Sequence, residues 1–327
     1  MTLRSPPEWA RHDWTWVGFP SNPDEWPGAF EEARADVAGF ANALHADGDE
    51  PVKLIAADAD SAAVARRMVA RSIEVSVVPF GDIWLRDTGP IVVTRPGHRE
   101  ARGFRFNGWG GKYVMPGDEL VGHELAVEAG LDFTRCDWVL EGGAIDGDGS
   151  GLAVTTEQCL TNPNRNPGMT RDEVEARLSA DLGLTRILWL GEGLAADHTD
   201  GHVDNLARFV GPGLLALPEA FGEHDPNAAV YADARARAEA FGVEVVTFPS
   251  PGRIERDGAL VAASHMNFVF GNSRVIVPTY GSASAEAAIA VLAGLFPDRE
   301  VVGVDARGII AGGGSFHCAS QQMPTLN

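Results

Sequence analysis

Nine residues from its end the chain carries a thiol in the run Gly312-Gly313-Gly314-Ser315-Phe316-His317-Cys318. Three glycines let backbone approach a ligand closely, and the segment after them reads as a short final strand that delivers the thiol. Upstream, the starts of four other strand-like segments carry polar groups. Asp87 stands in Trp84-Leu85-Arg86-Asp87-Thr88-Gly89-Pro90, Glu141 precedes Gly142-Gly143, and His202 and Asp204 lie two apart in Gly201-His202-Val203-Asp204-Asn205; the fourth segment opens at His265. On a strand, residues i and i+2 face one side, so His202 and Asp204 should project together. If these starts point to a common axis, Asp87, Glu141, His202, Asp204 and Cys318 converge.

Three carboxylates in one pocket repel unless a cation neutralises them. A metal is one option, because His198, Asp200, His202 and Asp204 offer hard and borderline ligands at strand-compatible spacing. The thiol fits that option poorly, since Cys318 has no second cysteine at C-x-x-C spacing. A guanidinium accounts for the whole set: it is planar and matched by bidentate carboxylates, its central carbon accepts a thiolate, and an imidazole can move protons to departing ammonia and from incoming water. Singly, each residue has a plainer reading. Asp87 after Arg86 could be half of a surface ion pair, Glu141 a turn, and His202 with Asp204 a buried hydrogen-bonded pair. Trp84 and Trp109 read first as core aromatics, with Trp84 a secondary candidate for a substrate lid. His317, adjacent to Cys318, would point the opposite way on a strand and is a poor candidate for the base.

The elements that must position these groups recur. Strand-like pairs cover Asp87 to Thr94, Glu141 to Thr155, His202 to Leu217, His265 to Tyr280 and Ser315 to Pro324, at roughly 50 to 60-residue spacing, the scale of a repeated unit. Between them, helices are expected over Phe30 to Leu44, Thr170 to Leu182 with Thr170 and Glu173 as a capping box, Asp225 to Phe241, and Ser284 to Leu295. Further strands are expected over Val52 to Ala56, Ile73 to Val78, Arg186 to Leu190, Val243 to Phe248 and Val301 to Val304. Gly147 to Gly151 reads as an acidic hairpin turn rather than a phosphate loop, and Gly110 to Gly117 as an ordered loop. The order hairpin, helix, strand, repeated about an axis, predicts an α/β fold in one radially repeated domain spanning 1–327. Two doubly wound domains are the alternative, and no GxGxxG fingerprint supports it.

The 327 residues include 46 Asp and Glu against 26 Lys and Arg, a formal net charge of -20. Such a balance argues against nucleic acid and favours cationic partners. Mean hydropathy is near zero, and no apolar run approaches the ~20 residues of a membrane span. Met1 to Pro7 shows no export signal, so the cytoplasm is the expected compartment. Cys136, Cys159 and Cys318 are too scattered for a disulfide framework and read as reduced thiols, with Cys136 and Cys159 outside the motifs.

Together, the segments Trp84 to Pro90, Phe106-Asn107-Gly108-Trp109-Gly110-Gly111-Lys112-Tyr113, Glu141-Gly142-Gly143, Gly201 to Asn205 and His317-Cys318-Ala319-Ser320-Gln321-Gln322-Met323-Pro324 resemble the agmatine deiminase family, grouped with the bacterial peptidylarginine deiminases in the guanidine-modifying superfamily. The resemblance implies a five-bladed, pentein-like α/β propeller and hydrolysis of a guanidine C–N bond through a cysteine thiouronium intermediate, without metal or cofactor. Agmatine and water would give N-carbamoylputrescine and ammonia. The resemblance further implies Cys318 as nucleophile, His202 as general acid and base, Asp87 and Asp204 as the grip on the guanidinium, and Glu141 as the acidic partner of the guanidine nitrogens and of His202. Members committed to agmatine commonly carry an acid shortly before the Gly-His-x-Asp motif, near the substrate's far amine. Here the chain reads Ala196-Asp197-His198-Thr199-Asp200, so His198 is expected at the far end, with Asp197 or Asp200 as possible stand-ins. The partner expected is a small cationic guanidine, and a homodimer is allowed for. Deimination of free, methylated or peptidyl arginine, amidino transfer, and a retired propeller that only binds cationic metabolites are the competing readings.

Overall fold

A computed structural model describes residues 3–326. Strand β1 (His12–Phe19) runs parallel to β2 (Val52–Ala56), which runs parallel to β3 (Glu74–Val77). Four further sheets follow a common rule: an antiparallel pair, then a helix-bearing crossover to a parallel third strand. They are β4 (Ile91–Arg95), β5 (His98–Arg105) and β6 (Asp132–Val139); β7 (Ile145–Gly147), β8 (Leu152–Thr156) and β9 (Arg186–Leu190); β10 (Arg208–Gly211), β11 (Leu214–Glu219) and β12 (Glu244–Pro249); then, after the small ribbon β13 (Glu255–Arg256) and β14 (Ala259–Leu260), β15 (Val269–Phe270), β16 (Arg274–Thr279) and β17 (Glu300–Asp305). The last strand, β18 (Ser320–Pro324), returns to the first sheet and pairs antiparallel with β1, Gln321 opposite Trp16. The terminal segment is therefore not half of a local hairpin, as its sequence suggested. Its partner lies at the other end of the chain, which gives the first sheet the same antiparallel-then-parallel order as the rest.

Helices Phe30–His45, Arg171–Leu182, Ala228–Phe241 and Ala285–Leu295 form where the apolar spacing places them. Thr170 and Glu173 close the expected capping box. Helices Ala59–Met68 and Asp118–Glu128 were not anticipated; the first is capped by the Asp58 carboxylate on the Ser61 amide. The helices bury narrow faces against the sheets, as Val174, Leu178 and Leu182 do beside Leu160 and Ile187. Asp148 closes the Gly147 to Gly151 turn by donating its amide to the Leu152 carbonyl. Among the described residues no helix is long and apolar enough to cross a membrane.

Candidate active site

The chemistry-bearing residues sit one step earlier than strand alternation implies. Each of four sheets is preceded by a single helical turn: Leu85–Thr88 holds Asp87, Gly142–Ala144 follows Glu141, Val203–Asn205 holds Asp204 and follows His202, and His265–Asn267 holds Asn267. Cys318 lies in a turn just before β18. His202 and Asp204 are thus brought together by a turn, not by a strand. The His317 ring does not line the cavity and sits behind Asp204. It is fully buried, with Nδ1 2.7 Å from Asp204 Oδ2 and Nε2 2.9 Å from Glu8 Oε1.

Gly143 is the meeting point. A Cβ built on it would lie 2.5 Å from His202 Nδ1, 3.0 Å from Asp87 Oδ1 and 3.2 Å from Asp204 Oδ2, so only a hydrogen fits among these three groups. The Gly143 amide donates to Asp87 Oδ1 at 2.9 Å, and Trp109 Nε1 donates to Asp87 Oδ2 at 2.9 Å. Cys318 Sγ lies 3.5 Å from Asp204 Oδ2 and accepts from Asn267 Nδ2 at 3.2 Å. Glu141 is fully buried and takes Arg165 Nε at 2.6 Å. Its Oε2, together with His202 Nε2 and Asp204 Oδ1, has no hydrogen-bond partner among the described residues. Buried polar atoms without partners cost about 1–3 kcal/mol each and point to a group that completes them.

The charges follow from this arrangement. Burial, then the Asp204 and Asp87 carboxylates, push the Cys318 thiol well above its ordinary value. Burial would lower His202, but Asp87, the Cys159 sulfur and Glu141 outweigh it and raise the imidazole well above its usual range. Burial would raise Asp204; the bond from His317 and the charges of His317, His202 and Arg208 hold it below the usual carboxylate value. The empty site therefore pairs a protonated thiol with an imidazolium and an ionised Asp204. Glu141 is raised, chiefly by burial, against the Arg165 and His202 charges.

A cavity of about 160 Å³ leads to Cys318 and Asp87. Trp84, Trp109, Tyr113 and His198 line it, so both tryptophans belong to its wall as well as to the core. The glycine run serves that wall. A Cβ on Gly312 or Gly314 would come within 3 Å of the Trp84 ring, and Gly313, at φ +94°, lies against His198. Tyr113 stacks on His198 with ring centroids 6.1 Å apart. Neither expected stand-in lines the cavity. The Asp197 side chain folds back onto the Thr199 amide and hydroxyl, and Asp200 is neutralised by Lys112 and Arg165 and depressed to about 2, burial opposing the bonds from Lys112, Asn164 and Arg165. Besides Asp87, the acids in the wall are Glu25 and Asp82.

Sequence reasoning missed Glu25, Asp82, Asn267, Arg165, Glu8 and Cys159. Asn267 had a signal, since Ser264-His265-Met266-Asn267 occupies the place in its repeat that Gly201 to Asp204 occupies in the preceding one. Glu8 had none: it lies in the N-terminal segment, where Arg86 and Arg208 hold it beside His317. Cys159 was set outside the motifs, but it lies next to the catalytic candidates; it, Glu141 and His202 each offer a ligand atom within 4.8 Å of the others.

Residues 4–324 match the Porphyromonas-type peptidyl-arginine deiminase family. The chain belongs to this family. Its relatives include an agmatine deiminase of Stutzerimonas stutzeri, 36% identical over 98% of this chain and 95% of that protein. Two members of known structure superpose closely. A variant of C. jejuni agmatine deiminase with substrate bound gives a TM-score of 0.92 at 28% identity, covering 99% of this chain and 96% of that one. Agmatine deiminase of Enterococcus faecalis gives 0.90 at 29% identity, covering 100% and 97%. The mixed α/β fold of this deiminase family is thus shared along the entire chain.

Proposed function

We propose that the protein hydrolyses agmatine to N-carbamoylputrescine and ammonia. The observation that carries this reading is Cys318 between two carboxylates at the end of a cavity, in a chain that is similar along its length to agmatine deiminases. Asp87 and Asp204 grip the guanidinium, whose charge offsets theirs and favours loss of the thiol proton to solvent. The thiolate attacks the guanidine carbon. His202, an imidazolium in the resting site, gives its proton to the departing nitrogen as the C–N bond breaks, and Glu141 holds the guanidine nitrogens and His202 in place. The neutral imidazole then takes a proton from water as the hydroxide adds to the thiouronium carbon. Cleavage of the C–S bond frees the ureido product and returns the thiolate.

Glu25 and Asp82 favour agmatine over free arginine. Burial, then the Asp118 and Glu25 charges, raise the Asp82 carboxyl to about 7, so an ammonium there would be welcome and an α-carboxylate repelled. We also read the five sheets as five blades about one axis, and residues 1–327 as one domain. In support, each sheet has the same antiparallel-then-parallel order. The turns before their first strands supply Asp87, Glu141, His202, Asn267 and Cys318 to neighbouring positions.

Ammonia release is to be measured on agmatine, free arginine, methylated arginines and arginyl peptides, with no amine acceptor added. Agmatine turnover that Cys318→Ala abolishes is the expected result. Release of the substrate's own amine, putrescine from agmatine, only when an amine acceptor is present and without ammonia, would assign amidino transfer instead.

A further inference from the structure

We propose that Glu141, Cys159 and His202 form an inhibitory zinc site behind the catalytic thiol. The three side chains are fully buried, and one ligand atom of each lies within 4.8 Å of the other two. A thiol, an imidazole and a carboxylate are the borderline-soft donor set that selects Zn²⁺. Metal–ligand bonds of about 2.0–2.3 Å set tetrahedral ligands about 3.5 Å apart, so closing the cluster needs side-chain shifts of only about 1 Å.

Two independent observations point to a missing cation. His202 Nε2 and Glu141 Oε2 are buried without a hydrogen-bond partner among the described residues. The surroundings are also acidic: Asp87 Oδ1 lies 3.7 Å from His202 Nδ1, and the Asp197 and Asp204 charges act on the same imidazole or its neighbours. Arg165 is the opposing charge, and it occupies only Oε1 of Glu141. Cys159 makes no bond to Cys318 but lies against the His202 imidazole, so the metal readout, and not the basal ammonia rate, is what Cys159→Ser is asked to report.

The test reads metal directly, which separates its failure from a failure of the agmatine reading. Co²⁺ is titrated into the full-length protein, and the thiolate-to-cobalt charge-transfer band in the near ultraviolet is followed, with Zn²⁺ added to displace it. The band should appear with one equivalent of metal, persist in Cys318→Ala, and vanish in Cys159→Ser. Loss of that ligand should weaken cobalt binding by at least about 100-fold, since even outer-shell losses cost 10–100-fold. In the ammonia assay, zinc should inhibit the wild type competitively with substrate and spare Cys159→Ser. Absence of the band, or a band lost in Cys318→Ala and kept in Cys159→Ser, would overturn the proposal. If Cys159→Ser does not fold, His202→Ala and Cys318→Ala decide: a band unchanged in the former, or lost in the latter, has the same meaning.

Discussion

Adding one methyl group at Gly143 tests whether His202, Asp87 and Asp204 act as a unit. The backbone there has no positive φ, so alanine meets no conformational barrier, and the whole effect comes from contact. Its Cβ would sit 2.5 Å from His202 Nδ1, where tight contacts run to 3.4 Å, so the imidazole must retreat by roughly 0.9 Å. Asp87 and Asp204, at 3.0 and 3.2 Å, must yield by a few tenths of an ångström. Misplacing a catalytic group by about 1 Å costs on the order of 100-fold in rate. Gly143→Ala should accordingly lower kcat/KM for agmatine by about 100-fold, mostly through kcat, while overpacking costs roughly 1–3 kcal/mol of stability. Gly39→Ala is the control: its Cβ would find only Val304 Cγ1, at 3.8 Å, and a helical glycine gains by the change. Ammonia release with thermal unfolding on the same preparations decides the matter. A folded Gly143→Ala enzyme with unchanged kcat would refute the reasoning, because the three groups could not then be arranged around that point during turnover.

Asp204→Asn should separate thiol reactivity from catalysis. Removing a carboxylate 3.5 Å from Sγ should speed alkylation of Cys318 by a neutral haloacetamide and yet cut ammonia release by about 100-fold or more; equal loss of both would contradict it. Glu25→Gln should raise KM for agmatine by about 10-fold with kcat nearly kept, and His198→Glu should increase the preference for agmatine over a guanidine with a neutral tail. Unchanged ratios in both variants would remove these residues from the far end of the substrate. Asp118→Asn tests a pH effect. Burial, against the Asp82 and Gly81 amides, raises Asp118 from 3.8 to about 6. A raised carboxyl contributes its stability at low pH and loses it as pH climbs through the folded value, so the ionised group costs about 3 kcal/mol at pH 8 and little near pH 4. The variant should therefore be more stable than wild type at pH 8 and equal to it at pH 4; a gain of the same size at both pH values would count against this account.

Much of this architecture is written in local pattern. Helix Arg171–Leu182 begins at the capping box that Thr170 and Glu173 announce, and β2 and β9 coincide with apolar runs bounded by turn residues. The repeat is legible for the same reason, because four of the sheets open with a polar turn followed by a tight hairpin. What was not legible depends on long-range geometry. No local signal says that β18 pairs with β1, and period-2 alternation gave the wrong element for His202 and Asp204, because a single helical turn and a strand end have similar compositions. Glu8 and Arg165 are ordinary surface residue types until the fold encloses them. The candidate nucleophile and carboxylates stand out because their chemistry is unusual in combination, whereas the charges that hold them are not.

Those supporting charges explain how an acidic site can use a thiol at all. The two carboxylates nearest Sγ suppress the thiolate when the site is empty, and His202, raised by Asp87, the Cys159 sulfur and Glu141, waits as an acid. A preformed ion pair of thiolate and imidazolium would be reactive toward any electrophile. In the proposed mechanism the thiol gains its charge only when a cation enters between Asp87 and Asp204, which would make substrate recognition and nucleophile activation one event. Glu8 and His317 make that possible from behind. By fixing Oδ2 of Asp204 through a donated bond, His317 leaves Oδ1, the oxygen without a partner, to meet the guanidinium. The half-buried Glu8, held well below the ordinary range because Arg208, Arg86 and His317 overcome its burial, orients the His317 ring through contacts to Nε2. On the proposed mechanism, the N-terminal segment supports the site as much as the terminal cysteine motif does.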